Sequence, residues 1–185
     1  MDSSRLPLLS IVLLLMLPLL SCGDDASSSR EPGMDRVESY LTNDPSRLVL
    51  EVDYVTEKQP YDESSQRVVS ALEQLVDKPD GVEVVLDGQL APRGANHIWT
   101  VDQLRSTASS TFDLEAESNT VKIHVMFVDG SFEDDTEDRK ILGLAWDNRH
   151  MAIFKDNLEE GCTSSLPRLT DTVCRAAETS IWKHE

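Results

Sequence analysis

Basic residues are scarce in this chain. Seventeen Lys and Arg stand against 34 Asp and Glu in 185 residues, for a formal net charge of −17. A nucleic-acid binder needs a basic face to neutralise phosphates, so this balance argues against that role. It argues equally against recruitment to anionic lipid by charge. Nucleotide signatures are missing too, with neither G-x-G-x-x-G nor a P-loop, the patterns whose glycines bring backbone amides up to phosphate. No G-x-S-x-G frames a serine nucleophile, and the Ser-rich "STASST" reads as a helix end or loop. Cysteine is limited to Cys22, Cys162 and Cys174, without a C-x-x-C pair, which disfavours a thiolate metal site. The excess acid then has a plain meaning, a soluble and self-repelling surface.

Apolar residues crowd one stretch. Residues 5–21, "RLPLLSIVLLLMLPLLS", follow a short start with Arg5 and are punctuated by Pro7 and Pro18. The run is short for a spanning helix and has the layout of an export signal. It ends in Leu19-Leu20-Ser21-Cys22, which resembles the bacterial lipobox, Leu-x-[Ala/Ser/Gly]-Cys. The resemblance implies that the Cys22 thiol carries a diacylglycerol as a thioether and becomes the new N-terminus. Loss of residues 1–21 removes Asp2 and Arg5, which cancel, so the charge of −17 persists. The following "GDDASSSREPG" is small, polar and charged, as a flexible tether is. The expected organisation is a signal peptide over 1–21, a tether over 22–46 and a folded domain over 47–185. The expected location is the bacterial cell envelope, membrane-anchored through Cys22. Asp24 stands second after Cys22, behind Gly23, which favours the outer membrane. With Cys22 lipidated, Cys162 and Cys174 remain as an even pair twelve residues apart. In an oxidising compartment they are expected to form a disulfide.

The rest of the chain alternates between two periodicities. "RLVLEVDYV" places Leu48, Leu50 and Val52 out of phase with Glu51 and Asp53, a strand pattern. "DESSQRVVSALEQLVDK" carries Val68, Val69, Leu72, Leu75 and Val76 at helical spacing and is closed by "KPDG". "VEVVLDGQL" predicts a second strand. Thr100 and Gln103 form a capping-box pattern before a short helix. "NTVKIHVMFVDG" predicts the strongest strand, and "RKILGLAWDNRHMAIF" one or two more. Leu166, Leu169, Val173, Ala177 and Ile181 make the apolar stripe of a core-facing helix. Strands alternating with helices predict an α+β domain with an α/β-like order, a mixed twisted sheet with helices packed on it. The acidic run "DGSFEDDTED" lacks EF-hand spacing and reads as a solvated loop.

The chain closes in "ETSIWKHE". His184 follows Ile181 by three residues and Ala177 by seven, a spacing that predicts an inward-facing side chain. Three features occur in order: the strand "VKIHVMFVDG", the segment "ILGLAW", and a helix running into His-Glu. Together they resemble the first part of a zincin catalytic domain, most of all the metzincin group of zinc peptidases, over roughly residues 48–185. There an edge strand with a Gly-Leu-Ala-like stretch precedes a long helix bearing H-E-x-x-H. The resemblance implies that His184 is the first zinc ligand and Glu185 the general base. It implies further that Gly143, Leu144, Ala145 and Trp146 lie on the edge strand that pairs with a peptide substrate. The second histidine would fall at position 188, past the last residue given. A catalytic zinc needs three protein ligands and a water. The expectation is therefore a domain truncated within its zinc motif, holding no competent zinc site as this chain. The alternative expectation is a non-catalytic envelope lipoprotein that binds a protein partner. Of the other histidines, His97 is expected on a surface loop, His124 as a satisfied, partly buried residue on its strand, and His150 at a turn. None has metal-pair spacing with another.

Overall fold

The computed structural model describes residues 34–115, 117–165 and 170–184. Its elements run α1 (Met34–Leu41), β1 (Arg47–Val55), α2 (Asp62–Leu72), β2 (Val82–Leu90), β3 (Ile98–Trp99), α3 (Val101–Thr111), β4 (Thr120–Val128), β5 (Ser131–Phe132), β6 (Gly143–Ala145), β7 (His150–Phe154), α4 (Lys155–Ser165) and α5 (Thr170–His184). Five strands form one sheet in the order β2-β1-β4-β7-β6. The first four are mutually parallel, and β6 runs antiparallel to β7 at one edge. The α+β class with an α/β-like order holds. β3 and β5 pair in a separate two-stranded ribbon.

β1 is an inner strand, paired with β2 and β4, and both of its faces are buried. Leu48, Leu50 and Val52 point to one side and join Val125, Phe127 and Ile153 from the neighbouring strands. Helices α1, α2 and α5 cover that side through Tyr40, Val68 and Trp182. The other side is covered by α3 through Leu104 and Ala108, packed on Met126, Val128, Ala152 and Phe154. The arrangement is three layers. Period-2 alternation sends successive residues to opposite layers, so Glu51 and Asp53 are carried inside on the α3 side.

The capping box of α3 forms as the sequence predicts. Thr100 accepts from the Gln103 amide at 3.2 Å, and Gln103 accepts from the Thr100 amide at 3.0 Å. Two helices go beyond the sequence reading. α1 lies within the stretch expected as a tether, which corrects that boundary. Tyr40 is buried in the core, and the Lys78 ammonium donates to the carbonyls of Ser39, Thr42 and Pro45 at 2.5, 2.6 and 2.6 Å. Those carbonyls belong to the end of α1 and the turn after it, where no helical partner remains. α4 escapes the pattern because, among its described residues, Leu158 and Cys162 are the apolar side chains it buries, beside the polar Lys155 and Asn157. It is tied to α5 by the Cys162–Cys174 disulfide, with 5.3 Å between the Cα atoms. Leu166 and Leu169 of the expected stripe lie outside the described residues.

Lys155, at the start of α4, and Glu178, in the middle of α5, form a buried ion pair. Glu178 also accepts from the Tyr61 amide at 2.8 Å, and the Lys155 ammonium sits 3.6 Å from the Tyr61 ring centroid. Burial is the largest influence on both groups. It pushes the lysine down and the glutamate up, each opposed by the other's charge. The pair joins α2, α4 and α5 at one point.

Candidate functional site

The sheet edge expected to meet a peptide is an edge. Gly143, Leu144 and Ala145 form β6, and Trp146 follows immediately. The Phe154 amide donates to the Leu142 carbonyl at 2.9 Å, and the Trp146 amide to the His150 carbonyl at 3.3 Å. Residues 142, 144 and 146 therefore turn their backbone groups toward β7. Gly143 and Ala145 turn theirs the other way, as antiparallel pairing requires. Beside this edge, Leu142, Gly143, Ser180, Ile181 and His184 line a shallow depression of about 380 Å³. The last turn of α5 thus brings His184 to the border of β6. Trp146 stacks on His150, with ring centroids 5.9 Å apart and an interplanar angle of 13°.

His184 is exposed, which corrects the inward placement read from its spacing. The buried stripe of α5 is Cys174, Glu178 and Trp182, four residues apart each time. Val173, Ala177 and Ile181 flank that stripe at partial burial. The helix is rotated because its centre is fixed by the disulfide at Cys174 and by the Lys155 partner of Glu178. Apolar spacing alone does not reveal either tie. Glu185, the expected base, and Cys22, the expected lipid site, lie outside the described residues.

No group of three potential metal ligands among the described residues includes His184. Among the described residues, the group of three potential ligands with atoms within 4.8 Å of one another is Glu51, Asp87 and Asp113. That set is all carboxylate and sits on the α3 side of the sheet. Zinc favours nitrogen and sulfur donors in tetrahedral array, so this set does not identify zinc.

A second polar constellation was not foreseen. On the α3 face, His124 Nε2 lies 2.8 Å from Asp53 Oδ2, and Lys122 Nζ lies 2.7 Å from Glu51 Oε2. Glu51 Oε1 also accepts from the amides of Asp113 and Leu114 at 2.7 and 2.9 Å. His124 is fully buried, not partly so, and its Nδ1 has no hydrogen-bond partner. The parallel register sets His124 opposite His150, with ring centroids 5.7 Å apart and Phe112 stacked on His124. Twenty-six residues of sequence separate these histidines, so no local spacing could pair them. The alternation of "LEVDYV" was the one available signal, since it sends two acids inward together. Asp87 is held above the ordinary carboxylate range, first by burial and then by the charges of Glu51, Asp113 and Asp53. Asp147 goes the other way. Burial opposes its ionisation, but bonds from the Arg149 amide and from the His150 ring and amide outweigh this and lower it.

On the α2–α5 face, a cavity of about 230 Å³ is lined by Leu50, Val68, Leu72, Leu75, Met151 and Trp182, among others. Leu75 at its mouth is 74 % exposed. His97 is half-buried, with its ring edge-on to Trp99 at 4.8 Å. Among the described residues no helix is long and apolar enough to cross a membrane. Comparison with protein-family models, curated proteins and solved structures yields no match.

Proposed function

We propose that this chain is a lipid-anchored envelope protein of the zinc-peptidase type, which takes an extended peptide along β6 with His184 at its side. One observation carries the reading. The antiparallel edge strand with Gly143–Ala145 and the helix end with His184 border one depression, the juxtaposition that the metzincin resemblance implies. Strand addition supplies main-chain hydrogen bonds from the outward groups of the edge, and flanking depressions select side chains. In a complete metal centre, zinc would polarise the scissile carbonyl. In this chain His184 offers a single imidazole, so the function that its own residues support is peptide docking. Membrane attachment through Cys22 rests on the lipobox alone.

The test is a fluorescent extended peptide library titrated against the full chain. Binding should weaken at least about tenfold in Gly143→Pro, which deletes one outward amide. Binding that is indifferent to Gly143→Pro removes β6 as the docking edge. Zinc should bind the full chain no tighter than the micromolar range. Sub-micromolar binding that is lost in His184→Ala would show a competent site after all.

The second reading is a non-catalytic lipoprotein that binds a protein partner. It is favoured by the apolar mouth at Leu75 beside Leu72 and Trp182. Leu75→Glu should then abolish partner capture while leaving peptide binding at β6 intact.

A further inference from the structure

β6 is one border of the five-stranded sheet and β2 is the other. The pairing of β2 with β1 fixes which of its backbone groups are committed. The Leu48 amide donates to the Gly81 carbonyl at 3.1 Å, while Leu48 stands opposite Val82. A parallel strand bonds to the two neighbours of the residue it faces, so Gly81 and Glu83 serve β1. Val82, Val84 and Leu86 therefore turn their amides and carbonyls outward, where no other strand pairs with β2 among the described residues. Val52 pairs with Leu86 and Tyr54 with Gln89, so a bulge sets Asp87 and Gly88 opposite Asp53 and ends the regular run. Exposed edges are commonly blunted by lysine or proline, and "VEVVLDGQL" contains neither.

The two faces beside this edge differ in chemistry. Val82, Val84 and Leu86 lie on the α2 side, opposite Leu48, Leu50 and Val52. With Val69 they form the apolar lining of a groove of about 640 Å³ between α2 and β2. Leu86 is 48 % exposed there, and the charged residues of the lining, Asp62 and Glu83, are both acids. On the α3 side, Asp87 comes close to Glu51 and Asp113. Arg47 pairs with Glu83 and Lys122 with Glu51. Asp87 and Asp113, both exposed, have no ion-pair partner among the described residues. A strand added to β2 sends alternate side chains to these two faces. We propose that the outer edge of β2 docks an extended peptide in which apolar and cationic residues alternate. The apolar set enters the groove at Leu86, and the cationic set meets Asp87 and Asp113. A second copy of the chain would bring another net charge of −17 to the edge, which disfavours it as the occupant. The site shares no residue with β6 or His184, so it stands or falls apart from the reading above.

The probe is a short fluorescent peptide alternating valine and lysine, titrated into the full chain at about 0.15 M salt to screen distant charges. It should bind at least about tenfold tighter than the same residues arranged in two blocks, or than alternating valine and glutamate. On binding, the Val84 and Leu86 amides should exchange their hydrogens more slowly. Diffuse attraction to an acidic surface leaves no such mark. Leu86→Glu, at an exposed position, should weaken binding about tenfold, and Asp87→Lys at least about threefold. Gly143→Pro should leave it unchanged. Loss of binding in Gly143→Pro would move the probe to β6 and overturn the proposal. So would equal binding of the block peptide, full binding in both β2 variants, or a bound probe with unaltered exchange at Val84 and Leu86. No binding up to about 1 mM would overturn it too. A dimer of the chain alone with those two amides already protected would assign the edge to a second copy, against the proposal.

Discussion

His124 Nε2 lies 2.8 Å from Asp53 Oδ2, between adjacent parallel strands, and both residues are sealed from solvent. They are not direct register partners, since Glu51 pairs with His124 and Asp53 with Met126. The contact is a diagonal, as is that of Lys122 with Glu51. Two diagonals in the same direction on one face make a ladder of acids on β1 answered by bases on β4. Replacing His124 by Phe keeps the stacking on Phe112 but leaves Asp53 Oδ2 buried without a partner. A loss of about 1–3 kcal/mol is expected, to be read from urea unfolding.

The Lys155–Glu178 pair should show the asymmetry of buried ion pairs. Lys155→Met leaves a buried carboxylate without its cation and should cost about 3–5 kcal/mol. Lys155→Met/Glu178→Gln removes both charges and keeps an acceptor for the Tyr61 amide. It should recover more than half of that loss. If the double variant is as unstable as the single one, the charge is not the cause.

Asp147 gives a pH dependence of known sign. Its folded pKa lies below the ordinary 3.8 because the Arg149 and His150 bonds outweigh burial. A depressed carboxylate contributes stability above its unfolded pKa and loses it as pH falls through the folded value. Asp147→Asn should therefore be less stable than the parent at pH 6. The gap should close as pH falls from about 5 to below 3, as read by melts across that range. A gap that is constant with pH would show that the charge plays no part. The site is half open to solvent, so the effect should be small.

The disulfide closes a segment with a sequence separation of 12. Chain-entropy arguments put such a link near 3 kcal/mol. Cys162→Ala/Cys174→Ala should lower the melting temperature by roughly 6–12 °C for a domain of this size. An unchanged melt would mean that α4 and α5 are held by packing alone.

His184 is exposed at a helix end, so His184→Ala should change stability by less than about 0.5 kcal/mol. Trp182→Ala, two residues earlier and buried against Phe127 with ring centroids 5.2 Å apart, should cost about 3–5 kcal/mol. The contrast tests the rotation of α5 directly.

The main elements were legible because they depend on local pattern. The alternation in "RLVLEVDYV", the capping box at Thr100 and the turn chemistry of "KPDG" each act within a few residues. The edge position expected for Gly143–Ala145 agrees with the sheet order. α1 was hidden because a helix of eight residues is held by long-range contacts, its own Tyr40 packed against the sheet and the remote Lys78 over its end. The orientation of His184 was misread for a related reason, since Cys174 and Glu178 set the roll of α5 through partners on α4.

The sequence by itself determined the strands, the larger helices, the acid excess and the pairing expected of Cys162 and Cys174. These follow from periodicity, turn residues and composition, which act along the chain. Only the tertiary structure decided which acids and bases meet. Parallel pairing set His124 beside His150, and a bulge set Asp87 beside Asp53. A diagonal contact across strands depends on register, and register is fixed by the packing of both faces at once. That is also why His184 acquires a neighbour, the β6 edge at Gly143, which its own stretch of sequence could not name.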